Sequence, residues 1–213
     1  MKGQAQDIIA RAHVALQDET GTRWPATELV TYLNDGQRVL VGSRPSETAV
    51  TVEFAPTVGA VQTLPEDAML MLEVRCNTAG RRRALTPVDR KTLESVARDW
   101  QSPAPSAELV HFMHGPMEPR VFYVYPPASS AASLQLTYSR YPTPVAHPVG
   151  VTAADVVGTT DLESKWNDAL LDYVLYRAWL KDAESSANAS LAAGYLSTFT
   201  AAVGAQAQPK PAA

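Results

Sequence analysis

The sequence predicts an α+β protein: an α-helical bundle built from both chain ends, with an antiparallel β-meander subdomain inserted between its second and third long helices. Three observations carry this expectation. Apolar residues recur at spacings of three and four in both terminal parts of the chain, and the period switches to two across the middle. The connections in that middle part are short and rich in turn formers, with no crossover helices of the kind a parallel sheet needs. The expected organisation is 1–45 for the N-terminal helices, 46–145 for the β-rich insert with one short helix, 146–203 for the C-terminal helices, and 204–213 for a flexible tail.

Ala5, Ile8, Ile9, Ala12 and Leu16 form one apolar stripe, predicting a helix over about 3–17. Pro25 suits a first helical turn, and Leu29, Tyr32, Leu33, Gly36 and Leu40 carry a second helix to about residue 42. Arg44-Pro45 stops it, since proline forces the preceding residue toward extended geometry. Val50, Val52 and Phe54 then alternate with Thr51 and Glu53, and Leu70, Leu72, Val74 and Cys76 alternate with Met71, Glu73 and Arg75. Thr86-Pro87-Val88-Asp89 has the form of a capping box, with Leu93, Val96, Ala97 and Trp100 spaced for one face of a short helix. Alternating runs follow at 109–114, 120–125 and 133–141, joined through Gly115-Pro116 and Pro126-Pro127-Ala128-Ser129-Ser130.

The connector 141–158 leads to the strongest helical pattern, over about 162–183, where Trp166, Leu170, Leu171, Val174, Leu175 and Ala178 make a wide stripe. A last helix is expected over about 187–202, from Leu191, Tyr195 and Phe199. The final ten residues hold nothing large to bury, so disorder is expected there.

Composition narrows the function classes. The chain has 213 residues and is 46% hydrophobic, but alanine supplies 33 of those residues, so the core is modest. With 18 Lys and Arg against 22 Asp and Glu, the formal charge of −4 gives no global footprint for gripping phosphates. No signal-peptide core or apolar run of membrane-spanning length occurs, so a soluble protein made in the cytoplasm, without a membrane partner, is expected. The lone Cys76 cannot form an internal disulfide.

Candidate chemistry is sparse, and neither a cofactor nor a metal is expected. No glycine-rich phosphate loop, nucleophile elbow or zinc-helix pattern is present, and His13, His111, His114 and His147 are scattered. Asp168 and Asp172 share a helix face, where carboxylates complement the helix dipole better than they serve as an acid pair across a cleft. Arg81, Arg82 and Arg83 form the one basic cluster, read either as a solvated turn or as a contact to an acidic neighbour subunit or to passing DNA phosphates. Trp166, Tyr173, Tyr176 and Trp179 span more than one helix face, which marks them as candidates for a subunit contact beside core packing.

Trp24 and Glu28-Leu29, the run Leu33-Asn34-Asp35-Gly36-Gln37-Arg38, Phe122-Tyr123-Val124-Tyr125-Pro126-Pro127, Leu136-Thr137-Tyr138-Ser139, and the run from Ala169 to Ala178 into Lys181-Asp182-Ala183 together resemble the head-to-tail adaptor (connector) proteins of tailed bacteriophages. The resemblance spans nearly the whole chain and includes no catalytic motif. It implies a non-enzymatic virion protein of the phage neck, forming a dodecameric homo-oligomeric ring between the portal protein and a tail or nozzle protein. Genomic DNA would pass through its channel without sequence-specific binding. It also implies a C-terminal extension toward the portal, which would place Gln206 and Lys210 at an interface. The competing expectations are a tail-associated hydrolase using Asp168 and a transient assembly factor.

Overall fold

In chain order, the computed structural model contains β1 (Lys2–Gln4), α1 (Ala5–Leu16), α2 (Ala26–Ser43), β2 (Ala49–Phe54), β3 (Gly59–Thr63), β4 (Ala68–Asn77), β5 (Thr86–Pro87) and α3 (Arg90–Val96). There follow β6 (His111–His114), β7 (Val121–Ala128), β8 (Leu134–Arg140), β9 (Thr159–Glu163), α4 (Asn167–Lys181) and α5 (Ser186–Ala205). Residues 1–181 and 185–205 are described. The chain divides into a helical unit, Met1–Thr48 with the segment from Pro142 onward, and a β unit, Ala49–Tyr141.

In the helical unit the stripes of α1, α2 and α4 find partners, whereas the one expected of the last helix does not: Leu191 is exposed, and α5 buries Ala192, Phe199 and Val203 instead. Ile8, Ile9 and Leu16 of α1 and Leu29, Leu33 and Leu40 of α2 are buried, and α4 packs against α1, α2 and α5. Contact on three sides explains why α4 buries Ala169, Leu170, Leu171, Tyr173, Val174, Leu175 and Ala178, a band wider than one stripe. Gly36 lets α2 come close, since a Cβ there would lie 3.0 Å from the Tyr173 ring.

Two expectations are corrected in this unit. The first helix begins at Ala5, because Lys2–Gln4 pair antiparallel with Thr159–Glu163. The fourth helix begins at Asn167, because residues 159–163 are that partner strand and Ser164–Trp166 form a 3-10 turn. The small sheet is held further by Lys2, whose ammonium pairs with the buried Asp161 carboxylate.

The β unit is not a meander. One sheet has the order β2-β8-β4 and the other β3-β7-β6-β5, and β5 pairs parallel with β6. Alternation shows which residues form strands but not which strands pair: β8 returns to the centre of its sheet, and 129–133 carries the chain from one sheet to the other. Both sheets contribute to one core, with Met71 and Val74 of β4, Phe122 and Val124 of β7, and Leu134, Leu136 and Tyr138 of β8.

The expected face of β4 is also corrected. Met71 is buried and Leu72 exposed, because the pairing with β8 shifts register three times and each bulge turns the following side chains. Thr86 does not cap the third helix: Thr86–Pro87 is strand, and Asp89 is the cap, accepting from the N–H groups of Lys91 and Thr92.

Candidate assembly surfaces

The run Leu33-Asn34-Asp35-Gly36-Gln37-Arg38 lies on α2, and Leu33, Asn34, Gly36 and Gln37 of it are buried. Leu33 is in the core. Asn34 is 6% exposed. Its Nδ2 donates to the Val145 carbonyl at 3.0 Å and its Oδ1 accepts the Val145 N–H at 2.8 Å, a two-bond clasp on the connector. Gln37 Nε2 donates to the same Oδ1 at 3.1 Å, while Gln37 Oε1 accepts the Asp161 N–H of β9 at 2.9 Å. Two amides on one face of α2 therefore hold both the connector and β9. Sequence reasoning missed them; the readable signal was two polar residues inside the stripe Leu29, Leu33, Gly36, Leu40.

A polar ladder runs beside the clasp. Asp35 pairs with Arg177 of α4 at 3.2 Å and with Arg38. Arg177 also lies 5.0 Å from the Tyr32 ring centroid. Tyr32 donates to Glu28 at 2.6 Å, and Lys181 reaches Glu28 at 2.7 Å. Burial, with the Glu28 carboxylate beside it, pushes the Tyr32 hydroxyl well above its ordinary range.

The aromatic candidates divide by environment. Trp166 is buried in the helical unit, its Nε1 donating to Glu47 at 2.8 Å. Tyr173 is buried with its ring 5.1 Å from Phe199 of α5. Tyr176 is half-buried and packs edge-on against Tyr173. Tyr173 thus meets the chain's own α5, while Trp179 packs edge-on against Trp24 with ring centroids 5.9 Å apart. Gln206 and Lys210 lie outside the described residues.

Arg81, Arg82 and Arg83 follow the end of β4 in a turn shaped by Gly80 at φ 63° and Arg82 at φ 52°. Arg83 pairs with Glu108 at 3.1 Å, and Arg81 and Arg82 are exposed. Asn77 fixes this turn from below: its Nδ2 donates to the Leu109 carbonyl at 2.8 Å and to the Arg83 carbonyl at 3.1 Å, and its Oδ1 accepts the Leu109 N–H at 2.9 Å. The β unit has nine Lys or Arg and nine Asp or Glu, so the net −4 of the chain belongs to the other segments.

Asp168 is 83% exposed and pairs with Arg11 at 2.8 Å. Burial and the neighbouring Asp168 raise the Asp172 carboxyl above its ordinary range. The two carboxylates stand on one helix rather than across a cleft. Among the described residues, no three of His, Cys, Asp and Glu are grouped to hold a metal ion. A cleft of about 490 Å³ borders Arg90, Met113, Glu118 and Tyr123. Within it Tyr123 donates to Glu118 at 2.9 Å, and Arg90 is bonded at 2.8 Å to Glu94, which lies outside the lining.

Nothing in these arrangements converges on a reaction centre; the ordered polar groups fasten elements together. The family model of the SU10 adaptor protein matches residues 4–212. The chain belongs to that family. It is thereby a phage adaptor, a structural role. No curated protein matches the sequence. Among the described residues of this adaptor, no helix is long and apolar enough to cross a membrane.

Proposed function

We propose that this adaptor is a neck component of the virion, assembling as a homo-oligomeric, dodecameric ring between the portal and the tail or nozzle and lengthening the channel through which the genome leaves. The observation that carries this reading is the family match over residues 4–212. Two physical features support it. A chain of net charge −4 offers few phosphate-neutralising contacts, so DNA passes without being held. The helical unit is locked by internal clasps and presents apolar surface outward, with Val14, Val149, Val157 and Leu191 exposed, which suits a protein completed by neighbours.

The test is particle composition together with tail attachment. Virions should contain the adaptor at the neck, seen as a ring by electron microscopy, and particles assembled without it should accumulate as filled heads lacking tails. Normal tailed particles in its absence would refute the reading.

A further inference from the structure

Among the described residues, two apolar surfaces of the helical unit are left unpartnered, and they differ in shape. The first is a knob. Residues 142–154 contain no Asp, Glu, Lys or Arg, in a chain that is 19% charged. Within and just after this run, Val149 is fully exposed, Val157 is 68% exposed and Val151 50%. The segment is nevertheless ordered. Thr152 and Asp155 form a capping box, with the Asp155 carboxylate accepting from the Thr152 N–H at 3.0 Å and its hydroxyl at 2.7 Å. The Val151 carbonyl accepts the Ala26 N–H at 2.8 Å. The exposed valines therefore flank a turn fixed by hydrogen bonds at Val151, Thr152 and Asp155.

The second surface is a trough. Helix α5 has no charged residue from Ser186 to Ala205. It buries Ala192, Phe199 and Val203 against its own unit. On its outer side Ala187, Ser190, Leu191, Gly194, Tyr195 and Thr198 line a shallow apolar hollow of about 610 Å³. Gly194 supplies the gap in that wall, since a Cβ there would meet nothing within 4 Å.

The two surfaces lie on different sides of α4. The turn of the knob packs on α1, and α5 packs on α4. Asp168 of α4 meets α1 through Arg11, whereas Tyr173 meets α5 through Phe199. Five residues at about 100° each place those directions roughly 140° apart around the helix. The elements that carry the two surfaces thus pack on different sides of α4. We propose that the Val149 knob of one copy seats in the α5 trough of a second copy, so that copies associate head to tail through the helical unit.

Charge and area favour this occupant. The α5 face brings no charge to the contact, and charge depletion is the compositional mark of an interface centre, while the one carboxylate of the knob, Asp155, keeps its hydrogen bonds to Thr152. A helix of twenty residues is about 30 Å long and presents roughly 300 Å² on one face, well short of the ~800 Å² per partner of a stable pair. One such contact does not hold a dimer. A head-to-tail contact can instead close on itself, and every copy then uses both surfaces. The inference rests on the ring reading above and assigns the contact that would build the ring.

The test uses the full chain with Cys76→Ser, carrying Val149→Cys and Leu191→Cys together or singly, oxidised at high protein concentration and resolved without reductant. All positions changed are at least partly exposed, so unchanged thermal unfolding should confirm the fold. The expected result is a ladder of dimers, trimers and larger species from the double variant. A mixture of the two single variants should stop at dimers, and neither single variant alone should cross-link. Cross-linking by Leu191→Cys alone, or no ladder while sedimentation shows multimers, overturns the contact and leaves the ring reading standing. Wild-type protein that sediments as a monomer at every concentration and is missing from virions overturns both.

Discussion

Removing the Asn34 clasp should cost more than any other single polar deletion in the helical unit. In Asn34→Ala, the Val145 N–H and carbonyl lose partners at 2.8 and 3.0 Å, and Gln37 Nε2 loses one at 3.1 Å. Val145 is 4% exposed and Gln37 1%, so water does not readily replace the lost amide. A buried group left without its hydrogen bond costs about 1–3 kcal/mol, and three at the lower end of that range give a loss of roughly 3–4 kcal/mol. That is a large share of the ~5–15 kcal/mol holding a typical domain, and at ~2–4 °C per kcal/mol for a chain of this size it lowers Tm by about 10 °C. Urea unfolding measures it as a lower midpoint with an unchanged slope.

Asn34→Asp sharpens the test. The ionised carboxylate still accepts from Val145 and Gln37 but faces the Val145 carbonyl with no proton to donate. Burial then raises its folded pKa above the unfolded value. A carboxyl raised on folding binds its proton more tightly in the native state, so stability is higher below the unfolded pKa and falls as pH rises through the folded one. This variant should therefore approach wild type near pH 4 and be much weaker at pH 8. An Asn34→Ala loss under about 1 kcal/mol, or an Asn34→Asp stability flat with pH, would refute the clasp as a structural fastening.

Gly36→Val should cost about 2–3 kcal/mol by thermal unfolding, since added methyls would drive into the Tyr173 ring, 3.0 Å from the first carbon placed there; a neutral result would show that the helices can part freely. Asn77→Ala should destabilise the β unit by roughly 3 kcal/mol, because the buried Leu109 N–H and carbonyl and the Arg83 carbonyl all lose partners, and amide exchange at Leu109 should quicken. Asp18→Ala should cost about 1–2 kcal/mol, as its carboxylate accepts the N–H groups of Thr22, Arg23 and Trp24 at 3.0, 2.8 and 2.8 Å. Burial raises the Asp18 carboxyl, but those donors and His13 outweigh it and the pKa is lowered. The Asp18 contribution is thus complete above the ordinary aspartate range and is lost as pH falls through the lowered value, so wild type and variant should converge in acid. Replacing both Arg81 and Arg82 by Ala should leave unfolding within about 0.5 kcal/mol of wild type; ring formation measured on the same variant then decides whether the cluster touches a neighbouring subunit, and unchanged assembly removes that role.

Much of the helical unit was legible because α1, α2 and α4 keep an apolar face in period, and Leu29, Leu33 and Leu40 fall inside as their spacing implies, whereas α5, apolar or small all round, turns Leu191 outward and Ala192 inward. The short pair β1 and β9 was not, since Lys2-Gly3-Gln4 has no pattern of its own and becomes a strand only when a segment 159 residues away supplies the partner. Strand pairing in the β unit was hidden for the same reason: β8 carries clear alternation, but its place between β2 and β4 is a long-range choice. β3 escaped notice because Gly59, Ala60, Gln62 and Thr63 leave a single large apolar residue in five. The aromatic run of α4 was visible as residues but not as a destination. Tyr173 points at α5 and Trp179 at Trp24, and only the packed structure shows these destinations and, among the described residues, the uncovered outer side of α5.

The chain crosses between its two units at points that are neighbours. Ala49, the first residue of β2, is the cross-strand partner of Ser139, close to the end of β8, so the outgoing and returning strands lie side by side. On the helical side both crossings are tied down, the outgoing one where Glu47 meets Trp166 and Lys165, the returning one where Asp161 accepts the Thr143 N–H and Asn34 grips Val145. A segment whose ends are that close can be exchanged for another of different length without asking the helices to move. The helical unit is then closed by its own fastenings at both crossings, and the β unit is an insertion whose two ends share one strand pair.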